Sequence, residues 1–479
     1  MSDQTLLFKS ATELADLVRT GEVTARELAE LALDAIEDDE QGLNAFTTVD
    51  RDGALAAADA IAAGDERPFA GVPTAIKDLS VATAGLRVSS GSALYGDYTP
   101  DHDAHVVRRI REAGFVIVGK TAAPELGIVP VTEPRRFGPT RNPWNTEHTP
   151  GGSSGGSGAA VAGGLVPIAH GSDGGGSIRI PAACCGLVGL KVSRGRISRG
   201  PDQGESFLSV DGVLSRTVRD TAVALDVLAG YEPGDANWAP PPFEPFSVTA
   251  ARDPGSLRVA LVVKPAIVAD VDPRAAQAAR ETAAVLENLG HHVEEVAPPM
   301  QFDQLFELFT DLWCAMVSVG VVFGELVSGR SATDGDVEPL TQWLHERALG
   351  TSSSTYLRSL TMLQRVARGW VEWASQWDVM LTPALAKRPL LVGELDTSAP
   401  DPRATFESSS QFTPFTPFVN VTGQPAIAVP MFIGDDGLPL AAQLIGAPLS
   451  EGLLLSVAAQ LEAEQRWFER RPAGAATRR

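Results

Sequence analysis

Two serines in glycine-rich surroundings are the residues of this sequence best suited to chemistry. Ser153 lies in one glycine cluster, and Ser177 follows Gly174, Gly175 and Gly176 in a second cluster, twenty-four residues later. Glycine loses more conformational freedom on folding than any other residue, so such clusters indicate sharp turns or a close approach to a ligand. Backbone N–H groups arranged around one hydroxyl would stabilise an oxyanion. The pattern therefore predicts acyl transfer, with Ser177 as the nucleophile.

The residues that follow Ser177 strengthen this prediction. The run from Ser177 to Cys185 can open a helix, because Pro181 is tolerated in a first helical turn. A helix N-terminus carries positive potential, which would stabilise negative charge beside Ser177.

A serine nucleophile needs a base within hydrogen-bond reach. His170 lies seven residues before Ser177 on a predicted strand end, and nothing in the sequence marks it as the partner. Lys77 ends an apolar run, where a buried strand would meet a polar loop. A lysine that is removed from water can be neutral near neutral pH. The alternative for Lys77 is an ordinary solvated surface lysine.

Other interpretations of the glycine clusters fit less well. Gly152 to Gly156 matches a G-x-S-x-G elbow with Ser154 as nucleophile, but an elbow follows a strand and the polar segment 145–150 precedes this one. A phosphate loop would end in Gly-Lys-Ser or Gly-Lys-Thr, which is absent from these runs.

A metal site is a further alternative, at Asp101-His102-Asp103-Ala104-His105. This segment precedes an amphipathic helix predicted for 104–113, where acidic residues are expected to cap the helix. His291, His292 and His345 lie on other predicted elements and do not complete a zinc ligand set. We expect neither a metal nor another cofactor.

Three blocks carry a family resemblance: Gly71-Val-Pro-Thr-Ala-Ile-Lys-Asp, Pro150-Gly-Gly-Ser-Ser-Gly-Gly-Ser and Ser172-Asp-Gly-Gly-Gly-Ser-Ile-Arg-Ile-Pro-Ala. In order and internal spacing they resemble the amidase signature family. The resemblance continues through Val118-Gly-Lys-Thr, Arg141-Asn-Pro-Trp-Asn, Gly189-Leu-Lys and Asn420-Val-Thr-Gly-Gln-Pro-Ala. It therefore covers nearly the whole chain.

The resemblance implies a role for each matching residue. Ser177 is the expected nucleophile, Lys77 the base and Ser153 the bridge between them, with a cis peptide bond between Gly152 and Ser153. The expected oxyanion hole consists of the N–H groups of Gly174, Gly175, Gly176 and Ser177. The residues expected to support these loops are Ser154, Asp173 and Arg179.

The substrate pocket is expected beside a loop-rich segment, 125–144. Ile128, Val129 and Pro130 are predicted as its wall, with ordinary core residues as the alternative. Cys314 is predicted to face the substrate, against the alternative of a buried structural thiol.

The resemblance implies a hydrolase that cleaves the C–N bond of small, aryl, cyclic or oligomeric amides, with esters or carbamates as further substrates. One alternative is the glutamine-hydrolysing subunit of a tRNA-dependent amidotransferase. That subunit usually has a threonine where this chain has Gly174, and Cys184-Cys185 is not its usual pair. A non-catalytic scaffold is a second alternative, which intact Lys77, Ser153 and Ser177 disfavour.

The elements that must position these residues alternate between helices and strands. Residues 10–37 predict two helices with capping boxes, followed by an alanine-rich helix to about Ala63 and the strand that carries Lys77. Residues 256–296 predict strand, helix and strand, and 301–375 are mainly helical. Later strands are predicted at 379–383, 426–430 and 442–446, before a final helix at 450–467.

These elements predict an α/β fold, a single large mixed sheet covered by helices on both faces. The resemblance implies one amidase domain over residues 1–479, with its signature core at about 70–215. Proline-rich residues 233–255 are expected to form an exposed connection, and 301–375 a variable helical pocket region.

Composition limits the partners. A formal charge of −21 among 479 residues disfavours nucleic acid and anionic membranes. The start of the sequence lacks a signal-peptide pattern, and the uncharged run 312–324 is too short to span a bilayer. Three cysteines, two of them adjacent, fit the reducing cytoplasm. We therefore expect a cytoplasmic monomer or homodimer that acts on a small-molecule amide.

Overall fold

The computed structural model describes residues 4–39, 41–204, 206–299, 302, 304–333 and 335–473. The last six residues of the chain, part of a tail that the sequence suggests is loose, lie outside the described residues. Within the described chain, Arg470 is anchored, since its Nη1 donates to the carbonyl oxygen of Met431 at 2.8 Å.

One mixed sheet organises the described chain. Its strands are β1 (Phe46–Val49), β2 (Pro73–Lys77), β3 (Val116–Thr121), β4 (Ile168–Asp173), β5 (Val188–Lys191), β6 (Val210–Ser215), β7 (Arg258–Leu261), β8 (His292–Glu295), β9 (Val379–Pro383), β10 (Ala426–Ile433) and β11 (Pro439–Gly446). Their spatial order is β1-β3-β2-β4-β6-β5-β10-β11-β9-β7-β8. Strand β2 is parallel to both β3 and β4, whereas β6 is antiparallel to β4 and β5.

Both faces of the sheet are covered. Every residue of β2, β3, β4, β5, β6 and β9 is buried, which requires packing on each side, because successive side chains of a strand point to opposite faces. The outermost strand β8 has exposed residues. The predicted fold class is thus confirmed.

Helices surround this sheet. The described ones are α1 (Ala11–Thr20), α2 (Ala25–Asp38), α3 (Arg51–Asp59), α4 (His105–Glu112), α5 (Gly155–Ala162), α6 (Arg179–Cys185), α7 (Val218–Leu228), α8 (Phe246–Ala250), α9 (Pro273–Asn288), α10 (Leu305–Ser328), α11 (Pro339–Leu349), α12 (Ser353–Ala374), α13 (Pro402–Phe412), α14 (Pro417–Thr422) and α15 (Glu451–Gln465). Both predicted capping boxes form, at Ser10 with Glu13 and at Thr24 with Glu27.

Helix α5 is built from small residues because it lies against the sheet at backbone distance. Its sequence is Gly-Gly-Ser-Gly-Ala-Ala-Val-Ala, and all eight residues are buried. A Cβ atom on Gly156 would lie 2.3 Å from the nitrogen of Ala122 and 2.6 Å from the carbonyl oxygen of Ala45. Glycine is therefore required there by close approach rather than by backbone conformation.

Two sequence expectations about helix ends are wrong. Helix α3 ends at Asp59 rather than near Ala63. The acidic residues before α4 do not cap it: Ala104 occupies the N-cap position without a side-chain hydrogen bond. Asp103 instead accepts from the backbone N–H of Ala84 and from Nε of Arg111, because a loop partner and an arginine lie within reach.

The segments at 233–255 and 301–375 differ in part from expectation. The proline-rich connection contains helix α8, whose Phe246 is buried.

Helix α10 has 24 residues and is long and apolar enough to cross a membrane. The expectation that the apolar segment around 312–324 is too short to span a bilayer is therefore wrong. Core helices of soluble proteins can also meet this criterion of length and composition. In α10, 44% of the most apolar 18-residue window is buried within the described chain.

The close approach of α5 makes a stability prediction. Gly156→Ala places a methyl group against the backbone of Ala122, the residue that follows β3, and such overpacking typically costs about 1–3 kcal/mol. We expect a lower free energy of unfolding in urea. The matched control is Gly350→Ala, where φ is −80° and a Cβ would meet its nearest atom at 3.6 Å. Equal stability of the two variants would contradict the packing argument.

Candidate active site

The parallel pairing of β2 and β4 sets the position of the site. Thr74 lies opposite Ile168 and Ala75 opposite Ala169, so both strands end at the same edge of the sheet. Lys77 is the last residue of β2, and the loop that carries Ser177 follows Asp173 at the end of β4. Carboxyl ends of parallel strands commonly carry functional groups.

The side chain of Lys77 is fully buried at this edge. Its Nζ donates to Ser153 Oγ at 2.8 Å and to Ser172 Oγ at 3.0 Å. Burial lowers the pKa of Lys77 to about 7, against the opposing charges of Asp173 and Asp211. A third, longer hydrogen bond of 3.4 Å runs from Nζ to the carbonyl oxygen of Ser172. Among the described residues, no carboxylate accepts directly from this amine.

Ser153 and Ser154 enter the site at the start of α5. The Gly152–Ser153 peptide bond is cis, as the resemblance implied. Ser154 links two neighbouring segments by hydrogen bonds. Its N–H donates to the carbonyl oxygen of Ser177 at 3.2 Å, and its Oγ donates to the carbonyl oxygen of Ser172 at 3.2 Å. No strand precedes these serines directly, so the elbow interpretation does not describe this loop.

Ser177 lies between β4 and α6, and 8% of its surface is exposed. Helix α6 begins at Arg179 and contains Pro181 in its first turn, as predicted. The N–H of Gly176 donates to Asp173 Oδ1 at 2.8 Å. The N–H of Gly176 is therefore already bound within the loop. The candidate oxyanion donors that remain from the expected set are the N–H groups of Gly174, Gly175 and Ser177.

Asp173 and Arg179 form a fully buried ion pair beneath this loop. Arg179 Nε donates to Asp173 Oδ2 at 3.0 Å, and Nη2 donates to Oδ1 at 2.9 Å. Although burial alone would raise it, the pKa of Asp173 is well below its ordinary value because of the charge and hydrogen bonds of Arg179. Gln443 Oε1 accepts from Nη1 at 2.6 Å, and Asn420 Oδ1 and the carbonyl oxygen of Thr416 accept from Nη2 at 2.7 and 3.0 Å.

Several residues of the site were not predicted from the sequence. Ser172 was quoted only as part of a motif, although it lies two residues from His170 and so shares its face of the strand. His170 Nδ1 accepts from the backbone N–H of Lys77 at 3.4 Å, and its Nε2 lies 3.4 Å from Asp211 Oδ1. Burial lowers the pKa of His170. Its contacts are thus with the backbone of Lys77 and not with Ser177.

The expected Lys77–Ser153–Ser177 relay is hydrogen-bonded at one end only. Lys77 and Ser153 are hydrogen-bonded, whereas the hydrogen bonds of the described residues include none between Ser153 Oγ and Ser177 Oγ. Catalytic hydrogen bonds often tighten only when substrate is bound. Both hydroxyls nevertheless line the same cavity.

Two cavities meet at Ser177. The narrow cavity has a volume of about 100 Å³ and is lined by apolar side chains that include Ile128, Val129, Phe309 and Phe418. The wide cavity has a volume of about 400 Å³. The residues that line its polar side include Ser153, Ser172, Arg199, Asp202 and Gln203. The predicted wall residues Ile128, Val129 and Pro130 thus lie at the narrow cavity.

Cys314 does not lie where the sequence placed it. Its side chain is fully buried, and the described linings of the two cavities contain Trp313 but not Cys314. The helical period explains this: Trp313, Met316 and Gly320 share one face of α10, and Cys314 is turned about 100° away from Trp313. Burial raises the pKa of the Cys314 thiol to about 12, as expected for an inert thiol.

The side chains of the segment from Asp101 to His105 form ion pairs and a hydrogen bond. His102 Nε2 lies 2.9 Å from a carboxylate oxygen of Asp202, and His105 Nδ1 lies 2.9 Å from Ser198 Oγ. The described part of the chain contains no group of three metal-ligating side chains.

Comparison with known proteins gives relatives that match nearly the full length of this chain. A 6-aminohexanoate-cyclic-dimer hydrolase from Paenarthrobacter ureafaciens is 40% identical over 487 residues, covering 97% of each chain. The structure of a 6-aminohexanoate cyclic dimer hydrolase complexed with substrate has a TM-score of 0.93 at 37% identity, covering 98% of this chain and 99% of that one. A bacterial aryl acylamidase of the amidase signature family has a TM-score of 0.87 at 25% identity, over 98% and 99%.

Fold and site together define a hydrolase that acts on carbon–nitrogen bonds. The family model described as "Amidase" matches residues 27–455. The chain belongs to the amidase family, and its fold and signature motifs are those of amidase signature enzymes.

The buried ion pair of Asp173 and Arg179, beneath the loop that carries Ser177, leads to a stability prediction. Arg179→Met leaves the carboxylate of Asp173 buried without its counter-charge, a loss that typically costs about 3–5 kcal/mol. We expect this decrease in the free energy of unfolding in urea, with partial recovery in the double variant that adds Asp173→Asn.

The control for this prediction is an exposed pair. Arg280→Met removes the ion pair with Glu295, in which both side chains are nearly half exposed, and should cost less than about 1 kcal/mol. A cost for Arg179→Met no larger than that of the control would contradict the anchoring role.

Proposed function

We propose that this amidase cleaves amides through an acyl-enzyme on Ser177, with Lys77 as the base and Ser153 as the bridge. The observation that carries the proposal is the hydrogen bond of 2.8 Å from the buried amine of Lys77 to Ser153 Oγ. A lysine whose pKa is lowered to about 7 is neutral in a large fraction of molecules near neutral pH. Only the neutral amine can accept a proton.

The reaction follows from these positions. Lys77 accepts a proton from Ser153 while Ser153 accepts one from Ser177, whose Oγ attacks the amide carbonyl carbon. The N–H groups of Gly174, Gly175 and Ser177 stabilise the oxyanion, and each such donor contributes about 2.7–4 kcal/mol in other acyl-transfer enzymes. The same relay protonates the leaving nitrogen, and water then hydrolyses the acyl-enzyme.

The substrate that the comparisons support is a cyclic or oligomeric amide, with aryl amides as a second class. The support comes from relatives named as 6-aminohexanoate-cyclic-dimer hydrolases and as aryl acylamidase. Two cavities that meet at Ser177 also suit an amide with substantial groups on both sides.

The glutamine-hydrolysing alternative is less well supported by the cavities. Glutamine carries an ammonium and a carboxylate, and buried charges require partners. The described lining of the narrow cavity contains no charged side chain. In the wide cavity, Arg199 is already paired with Asp211, and Asp202 lies against His102.

We further infer that residues 1–479 act as one amidase domain, as a monomer or homodimer in the cytoplasm. One sheet that runs from β1 to β11 supports a single domain, and the net charge of −21 disfavours nucleic acid and anionic lipid as partners.

Release of 4-nitroaniline from acyl anilides tests the nucleophile. Ser177→Ala should lower kcat/KM at least about 1000-fold, because the acyl-enzyme cannot form. Ser409→Ala, which alters another serine at the narrow cavity, is the control and should retain activity.

The same assays should include a cyclic diamide and L-glutamine. Faster hydrolysis of glutamine than of the anilide or diamide would instead support the amidotransferase alternative.

The pKa of Lys77 makes a pH prediction. Because burial lowers this pKa to about 7 and the neutral amine is the base, kcat/KM should rise about tenfold per pH unit below pH 7 and level off above it. Lys77→Met should lower activity about 100-fold or more and remove this dependence. A wild-type profile that is flat from pH 5 to 7 would rule out Lys77 as the base.

A further inference from the structure

The two cavities differ in which of the proposed catalytic residues line them. Ser177, Gly127 and Trp313 line both of them. Ser153 and Ser172 line only the wide cavity. The bridge of the proton relay therefore opens to one side of Ser177 and not to the other.

Trp313 separates the two spaces. Its ring stacks on Phe309 with a centroid distance of 5.2 Å, and a methyl group on Gly174 would contact it at 3.5 Å. The ring is thus held between α10 and the oxyanion loop, and 8% of its surface is exposed. An amide bound at Ser177 therefore has room for one group on each side of this ring.

The chemistry of amide cleavage determines which group lies on which side. Attack by Ser177 Oγ forms a bond to the carbonyl carbon, which then carries the oxyanion, the acyl carbon and the nitrogen. When the C–N bond breaks, the nitrogen takes the proton that left Ser177, and this proton returns through Ser153. The nitrogen must therefore lie on the Ser153 side, because a proton is transferred only across hydrogen-bond distance.

We propose, on the basis of the function proposed above, that the amine part of the substrate occupies the wide cavity and the acyl part occupies the narrow one. The enzyme consequently selects an uncharged, apolar acyl group and accepts a larger and more polar amine.

The linings agree with this orientation. The described side chains around the narrow cavity are apolar or hydroxyl-bearing, among them Ile128, Phe306 and Phe406. An ion placed there would lose its hydration without gaining a partner. The wide cavity has the larger volume, and Arg199, Asp202 and Gln203 are in its lining. These groups have partners within the protein, but their polar atoms leave an added charge on the amine part less desolvated than in the narrow cavity.

Charged substrates test the orientation with the unaltered enzyme. Hexanoyl 4-nitroanilide should be hydrolysed about 100-fold or more faster, in kcat/KM, than the 6-ammoniohexanoyl 4-nitroanilide of the same length. Moving a charge to the amine, in hexanoyl 5-amino-2-nitrobenzoate, should change kcat/KM by less than about tenfold. A larger loss for the charged amine than for the charged acyl group would overturn the proposal.

Two matched variants test it independently. Ser410→Trp fills the narrow cavity from α13, and Met316→Trp fills the wide cavity from α10; both residues are partly exposed on helices. Ser410→Trp should shorten the longest acyl chain that is hydrolysed and leave the preference among amines unchanged. Met316→Trp should do the reverse. The assignment of the acyl part to the narrow cavity would be overturned if Ser410→Trp changed the preference among amines and Met316→Trp shortened the longest acyl chain.

Failure of this inference is distinguishable from failure of the proposed function. If Ser177→Ala still releases amine, the proposed mechanism is wrong. If hydrolysis depends on Ser177 but charge and filling effects are exchanged between the two sides, the mechanism stands and only the orientation is wrong.

Discussion

The exclusion of water from the amine of Lys77 is the condition on which the remaining site depends. A lysine in water keeps its proton and cannot serve as a base near neutral pH. Here the amine lies at the end of a strand buried on both faces, in contact with the hydroxyls of Ser153 and Ser172. The covering helices on both sides of the sheet are therefore part of the chemistry as well as of the fold.

Two buried basic side chains of the site have different hydrogen-bond partners. Arg179 lies directly against the carboxylate of Asp173, and amide oxygens accept from its other N–H groups. Lys77 has only hydroxyl and carbonyl neighbours in hydrogen-bond contact, so the carboxylates act on it from farther away. Arg179 thus holds the loop that carries Ser177 in place, while the pKa of Lys77 is lowered to about 7.

The sequence was sufficient for the residues that lie in motifs and insufficient for those that meet only in space. Lys77 could be predicted because an apolar run ends in a lysine, and the fold class because strand and helix signals alternate. The contact of His170 with Lys77 depends on the register between β2 and β4, which local pattern does not specify. The position of Cys314 was predicted wrongly because tertiary packing sets which face of a helix lines a cavity. Gly176 was expected to donate to an oxyanion, but the carboxylate of Asp173, three residues away, accepts its N–H.

The proposed catalytic residues and much of the cavity wall come from different parts of the chain. Lys77, Ser153 and Ser177 come from the first part of the sequence, whereas most of the narrow cavity is formed by residues 266–421. Substitutions in the later part can reshape what fits without moving the atoms that react. Divergence of substrate range within such a scaffold then requires few changes and leaves bond cleavage intact, which makes the second half of the chain the natural target for directed evolution of new amide specificities.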